Sequence, residues 1–364
     1  MLKQRLKELL KELTSICGVS GREQQVIAAL AAKLRPLADE MSVDNWGNIV
    51  AVKHGGQAGP KVMIGAHADE IGLCVKSVLP NGFILMSRLG GVNDILLQGR
   101  RVRIKGAIPG ILGIKAGHLM NAEERSRIKP MNDCYIDVGA FSKEEVLAMG
   151  IRIGDRISFE GDFMEMHNPD LICSKAVDDR IGCSAVVALF EELQGKSFPG
   201  TLCGVITVQE EIGLRGAAMI SGKVAPDYAI ALDTIPSGDT PDVSYERQLP
   251  IRLGGGPAIA LLDGIDSAFV SNIVHPKVQQ ILEEAAERAG APLQMVTLGG
   301  ETYTTDAANI SLEGGGIPIG VLLTPRRYSH SPVELLNIND AVCVVNILRE
   351  VVLKNGSVSL NFIE

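Results

Sequence analysis

The chain has 364 residues, of which 46% are apolar, 21% charged and 4% aromatic, and its formal net charge is −8. That length exceeds one ordinary hydrophobic core, so two domains are expected, and the apolar content excludes a disordered chain. Mild acidity without a basic block, together with few aromatic rings, argues against a nucleic-acid partner or a sugar-stacking surface.

From the N-terminus, Leu2, Leu6, Leu9, Leu10 and Leu13 recur at helical spacing among Lys and Glu residues. This predicts an amphipathic surface helix and lacks the apolar core of a secretion signal. A second helical pattern follows, and then residues 61–66 form a short apolar run after Gly59-Pro60, which reads as a buried strand. Through 74–166 the pattern changes to short alternating segments, such as 101–105 and 156–160, separated by Gly, Pro and Asn. That stretch predicts a small β-rich unit. After His167, apolar strands at 201–208, 228–232 and 317–323 alternate with helical patterns at 181–193 and 276–289. The expected fold is therefore α/β, with a central, mostly parallel sheet flanked by helices. Residues 1–73 plus 167–364 are expected to form that domain, with 74–166 inserted as a β-rich module. The longest apolar run, 317–323, is far too short to cross a bilayer, so no membrane span is expected. Seven cysteines lie mostly in apolar stretches without a CxxC pair, which predicts buried thiols in a reducing, cytoplasmic setting.

The chemistry is carried by where acidic and histidine residues fall. His67 and Asp69 follow the first apolar strand, Glu210 and Glu211 the second, Asp233 the third, and His330 lies just beyond the fourth. Asp178 and Asp179 precede a helix. In open α/β sheets the carboxyl ends of the strands form the ligand crevice, so these groups are expected to converge. Carboxylates that close repel one another and take up protons unless cations sit between them. Imidazole plus carboxylate suits zinc, with cobalt or manganese as alternatives. The number of donors is right for two ions sharing a carboxylate, roughly 3.5–4 Å apart. Each element has a bland alternative when taken singly. Asp178-Asp179 could simply cap a helix, and Glu210-Glu211 could be a solvated pair. Ser329 and Ser331 beside His330 do not make a serine triad, since no GxSxG elbow exists. His54, His118, His167 and His275 lack an acidic companion at a strand end and read as ordinary. Gly254-Gly255-Gly256 and Gly314-Gly315-Gly316 match no nucleotide-binding loop and predict tight turns.

Several motifs occur in order: Asp44-Asn45-Trp46-Gly47-Asn48, His67-Ala68-Asp69-Glu70-Ile71-Gly72, Asp178-Asp179-Arg180, Gln209-Glu210-Glu211-Ile212-Gly213, Leu232-Asp233 and Tyr328-Ser329-His330-Ser331-Pro332. As a set they resemble the glutamyl aminopeptidase family of cocatalytic metallopeptidases, which includes the tetrahedral (TET) aminopeptidases. The resemblance covers essentially the whole chain. It implies a two-metal aminopeptidase acting on short peptides with a free N-terminus. Asp178 is then the bridging ligand, His67 and Asp233 complete one site, and Glu211 and His330 complete the other. Glu210 is implied as general base toward a metal-bound water, and Asp69 as the partner that fixes the His67 tautomer. The family also implies a cis peptide after Asp178, and a homo-oligomer, commonly a dodecamer built from dimers through the β module.

In one loop the chain departs from the family. Gly299-Gly300 is followed by Glu301-Thr302-Tyr303-Thr304 before Thr305-Asp306-Ala307. An inward Glu301 would favour basic substrate side chains; a surface elaboration is the alternative. Two other functional readings stay in competition: a related dinuclear N-acyl deacylase or carboxypeptidase, and a catalytically silent metal-binding assembly protein.

Overall fold

The computed structural model describes residues 1–265, 270–298 and 302–363. At its centre four strands run parallel in the spatial order Phe198–Thr207, Gly56–His67, Tyr228–Pro236, Ile319–Arg327. Tyr228–Pro236 and Ile319–Arg327 are buried at every position but the last. Strands covered on both faces read as continuous apolar runs, which is why these were visible in the sequence.

Antiparallel strands extend the centre into a 13-stranded sheet among the described residues. Ile49–His54 pairs with Phe198–Thr207 and carries Glu40–Val43 at the edge. On the other side, Glu334–Asn337 pairs with the end of Ile319–Arg327, and Leu171–Ser174 and Met164–Glu165 follow. Ala258–Ile265 branches off Ile319–Arg327 and supports Val270–Ile273, Gln294–Leu298 and Thr302–Tyr303. The sheet is thus α/β at its centre, with more antiparallel flank than the apolar runs alone suggested.

The helices Leu2–Ser15, Val177–Glu192, Pro276–Ala289 and Ile338–Leu353 pack on one another. The leucine stripe of the first turns inward: Leu6, Leu9, Leu10 and Leu13 are fully buried and Leu2 partly so. Pro276 at the first helical position and Gly290 in a left-handed conformation (φ 62°) bound the third. Gly254-Gly255-Gly256 is a turn, as expected. Its Gly254 and Gly256 N–H groups donate to the Asp340 carboxylate at 2.8 and 2.9 Å.

Between the first central strand and the rest of the sheet, the chain makes a closed barrel. Its strands are Gly72–Val78, Ile84–Leu89, Ile136–Asp137, Ile108–Leu112, Arg101–Ile104 and Arg156–Phe159, in that order around the wall. The alternation read at 101–105 is real: Val102 and Ile104 point into the barrel while Arg101 and Arg103 face solvent. Leu73, Ile84, Leu112, Ile136 and Ile157 join them in a core separate from that of the sheet.

Candidate metal centre

His67 is the last residue of its strand rather than the residue after it, and Asp233 lies inside the strand Tyr228–Pro236. The hydrogen-bonded ladder continues past the apolar run, which moves both inward. Glu210 and Glu211 follow the strand Phe198–Thr207, and His330 follows Ile319–Arg327. Three of the turns that aim these groups contain a non-glycine residue at positive φ: Ala176 (51°), Gln209 (58°) and His330 itself (55°). Such conformations cost of order 1–3 kcal/mol each and persist where surrounding contacts over-determine them.

The paired aspartates divide their labour. The Asp178–Asp179 peptide is cis. Asp179, non-helical within the first turn of Val177–Glu192, accepts from the Gly182 N–H at 3.0 Å, a capping-type bond of the kind the bland reading held for the pair. Asp178 points into the crevice.

His67 Nε2 lies 3.1 Å from Asp178 Oδ1, 3.8 Å from Asp233 Oδ1 and 4.0 Å from Glu210 Oε2. His330 Nε2 lies 3.4 Å from Asp178 Oδ2 and 3.5 Å from Glu211 Oε2. Three triads bring their donor atoms within 4.8 Å of one another: His67–Asp178–Asp233, Asp178–Glu211–His330, and His67–Glu210–Glu211. The first two share Asp178, one oxygen facing each histidine. Asp69 is fully buried, with Oδ1 3.5 Å from His67 Nδ1. It accepts from Ser20 Oγ at 2.6 Å and from the Glu210 and Glu211 N–H groups at 2.9 and 3.2 Å. His330 Nδ1 lies 3.3 Å from the Gly91 carbonyl, which fits a donor at Nδ1 and leaves Nε2 free to ligate.

Apart from Asp178 and Asp69, these groups hold protons more tightly than usual. Burial drives Glu211 up to about 8 and Asp233 up to about 6, with the Asp178 charge adding to both. Burial also raises Glu210 well above the usual carboxyl range, despite His67 beside it. Burial opposes the charged form of His330, yet Glu211 and Asp178 outweigh it and hold the imidazole up at about 9. Burial resists ionisation of Asp178 too, but Arg326, His330 and His67 reverse that and keep it well below its ordinary value. Sites that hold protons this tightly among buried acids take divalent cations for the same electrostatic reason. His67 Nδ1 has no hydrogen-bond partner in reach, so Asp69 fixes it by charge and proximity. The donor set fits cation binding.

The crevice opens into a cavity of about 950 Å³. Asp178, Glu210, Glu211, Asp233 and His330 line one wall; Leu249, Val270, Leu298 and Tyr303 line the apolar wall, and Gly91 and Asn93 reach in from the barrel. Tyr303 donates to the Thr234 carbonyl at 2.7 Å. Glu301 lies outside the described residues.

Sequence reading missed several neighbours. Arg326, inside an apolar strand, bonds Asp178, Glu334 and Thr234. Glu334 accepts from the His330 and Asp178 N–H groups. Asp306 accepts from Thr207 Oγ1 at 2.6 Å, and burial raises it to about 7. A charged residue interrupting a buried run was the available signal for Arg326. His54 corrects one expectation, since at the end of its strand it has an acidic companion, Glu40, at 3.2 Å. Both side chains are largely exposed, and among the described residues no third donor joins them.

Buried carboxylates and imidazoles gathered at the strand ends of an α/β sheet, over an open cavity, define a metal-dependent hydrolase. The M42 glutamyl aminopeptidase family matches residues 47–347, and the chain belongs to that family as a peptide hydrolase. A putative aminopeptidase of Acetivibrio thermocellus is 39% identical, over 95% of this chain and 98% of the relative. The glutamyl aminopeptidase of Lactococcus lactis is 32% identical, over 95% and 96%. Among solved structures, an aminopeptidase of Desulfurococcus kamchatkensis superposes with a TM-score of 0.91 at 34% identity, over 98% of this chain and 96% of that one. The TET1 peptidase of Pyrococcus horikoshii, described as assembling into a tetrahedron or a large octahedral shell, has a TM-score of 0.83 at 29% identity, over 96% and 99%.

Proposed function

We propose that the protein releases N-terminal residues from short peptides with two divalent cations bridged by Asp178. His67 and Asp233 complete one position, and Glu211 and His330 the other. The observation that carries this reading is the pair of triads sharing Asp178, with Glu210 left over on the same cavity wall. Cations held there would polarise the scissile carbonyl, acidify the attacking water and absorb oxyanion charge. Zinc suits the mixed imidazole and carboxylate donors; cobalt and manganese are the alternatives.

Glu210 takes the proton from the attacking water and passes it to the leaving amine. Its raised proton affinity suits a group that must accept a proton and then release it. Asp69 anchors the His67 ring and, through the Glu210 and Glu211 N–H groups, the backbone that carries the base. The acidic wall attracts the free α-ammonium of a peptide, which confines cleavage to the end of the chain. The leaving part of the substrate then lies along the cavity toward Leu249 and Tyr303.

The division into a catalytic unit of 1–73 plus 167–364 and an assembly module of 74–166 belongs to the same proposal. Ile114, Leu119, Phe141 and Ile153 of the barrel region are exposed apolar side chains, which suits a contact between copies and a dodecamer built from dimers. All seven cysteines are free, three of them buried, which suits the reducing cytoplasm. Among the described residues no helix is long and apolar enough to cross a membrane.

Hydrolysis of a panel of aminoacyl-p-nitroanilides, and of one peptide with and without an N-acetyl group, tests the reading. Release from the free peptide alone is expected, and Glu210→Gln lowers kcat by about 10²–10⁴-fold with metal content unchanged. Cleavage of the acetylated peptide, or full activity in Glu210→Gln, would overturn it.

A further inference from the structure

Arg326 is the penultimate residue of the strand Ile319–Arg327 and is 2% exposed. Every nitrogen of its guanidinium is engaged. Nε donates to Thr234 Oγ1, Nη1 to Glu334 Oε1 at 2.8 Å and Nη2 to Asp178 Oδ2 at 2.5 Å. The two oxygens of Asp178 are therefore unlike. Oδ1 faces His67, while Oδ2 faces His330 and also carries the guanidinium. Among the described residues no lysine or arginine pairs with Asp233, Glu210 or Glu211. Among the described residues Arg326 is thus the cation that pairs with the carboxylates of the centre, while nearby Lys175 is held by Glu70.

Resting on the two-ion reading above, we propose that Arg326 makes the two cation positions unequal. The position formed by His67, Asp178 and Asp233 fills first. The one formed by Asp178, Glu211 and His330 is held more weakly, because the guanidinium draws on the same carboxylate oxygen and repels the incoming charge. Arginine stays protonated throughout, so no rise in pH relieves the competition. Two charges a few ångströms apart in a water-poor interior interact far more strongly than at a surface. Glu334 tempers the effect. Its carboxylate bonds Arg326, the His330 N–H at 2.9 Å and the Asp178 N–H at 3.2 Å, neutralising part of the guanidinium charge while fixing both ligands. When the second cation leaves, Arg326 still compensates Asp178, and the centre keeps its shape with one ion.

The test is equilibrium dialysis of the full-length protein against a series of buffered free Co²⁺ concentrations. Ions per chain are counted by elemental analysis, and the visible absorption of Co²⁺ reports on coordination. Wild type is expected to take up its second ion at a free Co²⁺ at least about tenfold above the first, a gap of roughly 1.4 kcal/mol. Arg326→Gln closes that gap by shifting the second step alone. Arg326→Lys, which keeps a charge, leaves it near wild type. Glu334→Gln, which strips the guanidinium of its counter-charge, moves the second step to higher Co²⁺ and serves even where Arg326→Gln fails to fold. A second step that does not move in Arg326→Gln and Glu334→Gln, or moves together with the first, would overturn the role of Arg326. Fewer than two ions in wild type and in every variant would instead overturn the two-ion reading, and this proposal with it.

Discussion

Gly91 shows how closely single residues are fitted to the centre. A Cβ there would lie 2.5 Å from His330 Nδ1, so only glycine lets the barrel loop approach and offer its carbonyl to the imidazole. Gly91→Ala is expected to displace His330 and lower kcat/KM by about tenfold or more while His67 keeps its contacts, checked by steady-state kinetics beside metal content. The protonation states of the centre make a second prediction. Glu211, Asp233 and Asp306 are raised to about 8, 6 and 7, and His330 to about 9. The folded metal-free chain therefore holds more protons than the unfolded one between about pH 5 and 9. Stability falls as pH rises wherever the native state binds the excess. The chelated protein should melt at a lower temperature at pH 9 than at pH 6, and saturating Zn²⁺ should remove most of that difference. A chelated protein more stable at pH 9 would contradict these assignments.

The elements that carry the candidate ligands are braced by segments remote in sequence. In the Asp44-Asn45-Trp46-Gly47-Asn48 turn, Asp44 Oδ1 accepts from three successive N–H groups, and Asn48 Oδ1 accepts from the Val208 N–H at 3.1 Å, two residues before Glu210. Asn48→Ala leaves that buried N–H without its acceptor, which should cost about 1–3 kcal/mol in urea denaturation and lower kcat together with stability. The legibility of each element in the sequence follows from what surrounds it. The central parallel strands were readable because both faces are buried and the run of apolar residues is unbroken. Ile49–His54 and Glu334–Asn337 are short, lie on the flanks and mix polar with apolar residues, so their place depends on partners that no local pattern displays. The convergence of the candidate ligands was legible because strand ends concentrate them. Arg326 and Glu334 were not, because their meaning lies in the partners they meet, Asp178 and His330. Asp178 and Asp179 could be told apart only once the backbone around them was known.

At the scale of the whole molecule, the barrel and the sheet have separate cores, yet the barrel supplies part of the cavity wall through Gly91 and Asn93. Its exposed apolar side chains include Phe141 at 89% and Ile153 at 73%. If the barrel mediates assembly, native mass measurement should give about twelve times the 38.8 kDa chain. Phe141→Asp should shift the distribution to smaller species while each chain keeps its fold; a native monomer in wild type would contradict the assembly. Both the proposed chemistry and the proposed difference in affinity depend on cations meeting at Asp178. The most direct measurement is anomalous scattering from crystals of the zinc-loaded protein. Two peaks are expected, one among His67, Asp178 and Asp233 and one among Asp178, Glu211 and His330, both within ligand distance of Asp178. A single peak among His67, Glu210 and Glu211, or ions bound elsewhere with Asp178 unliganded, would contradict it.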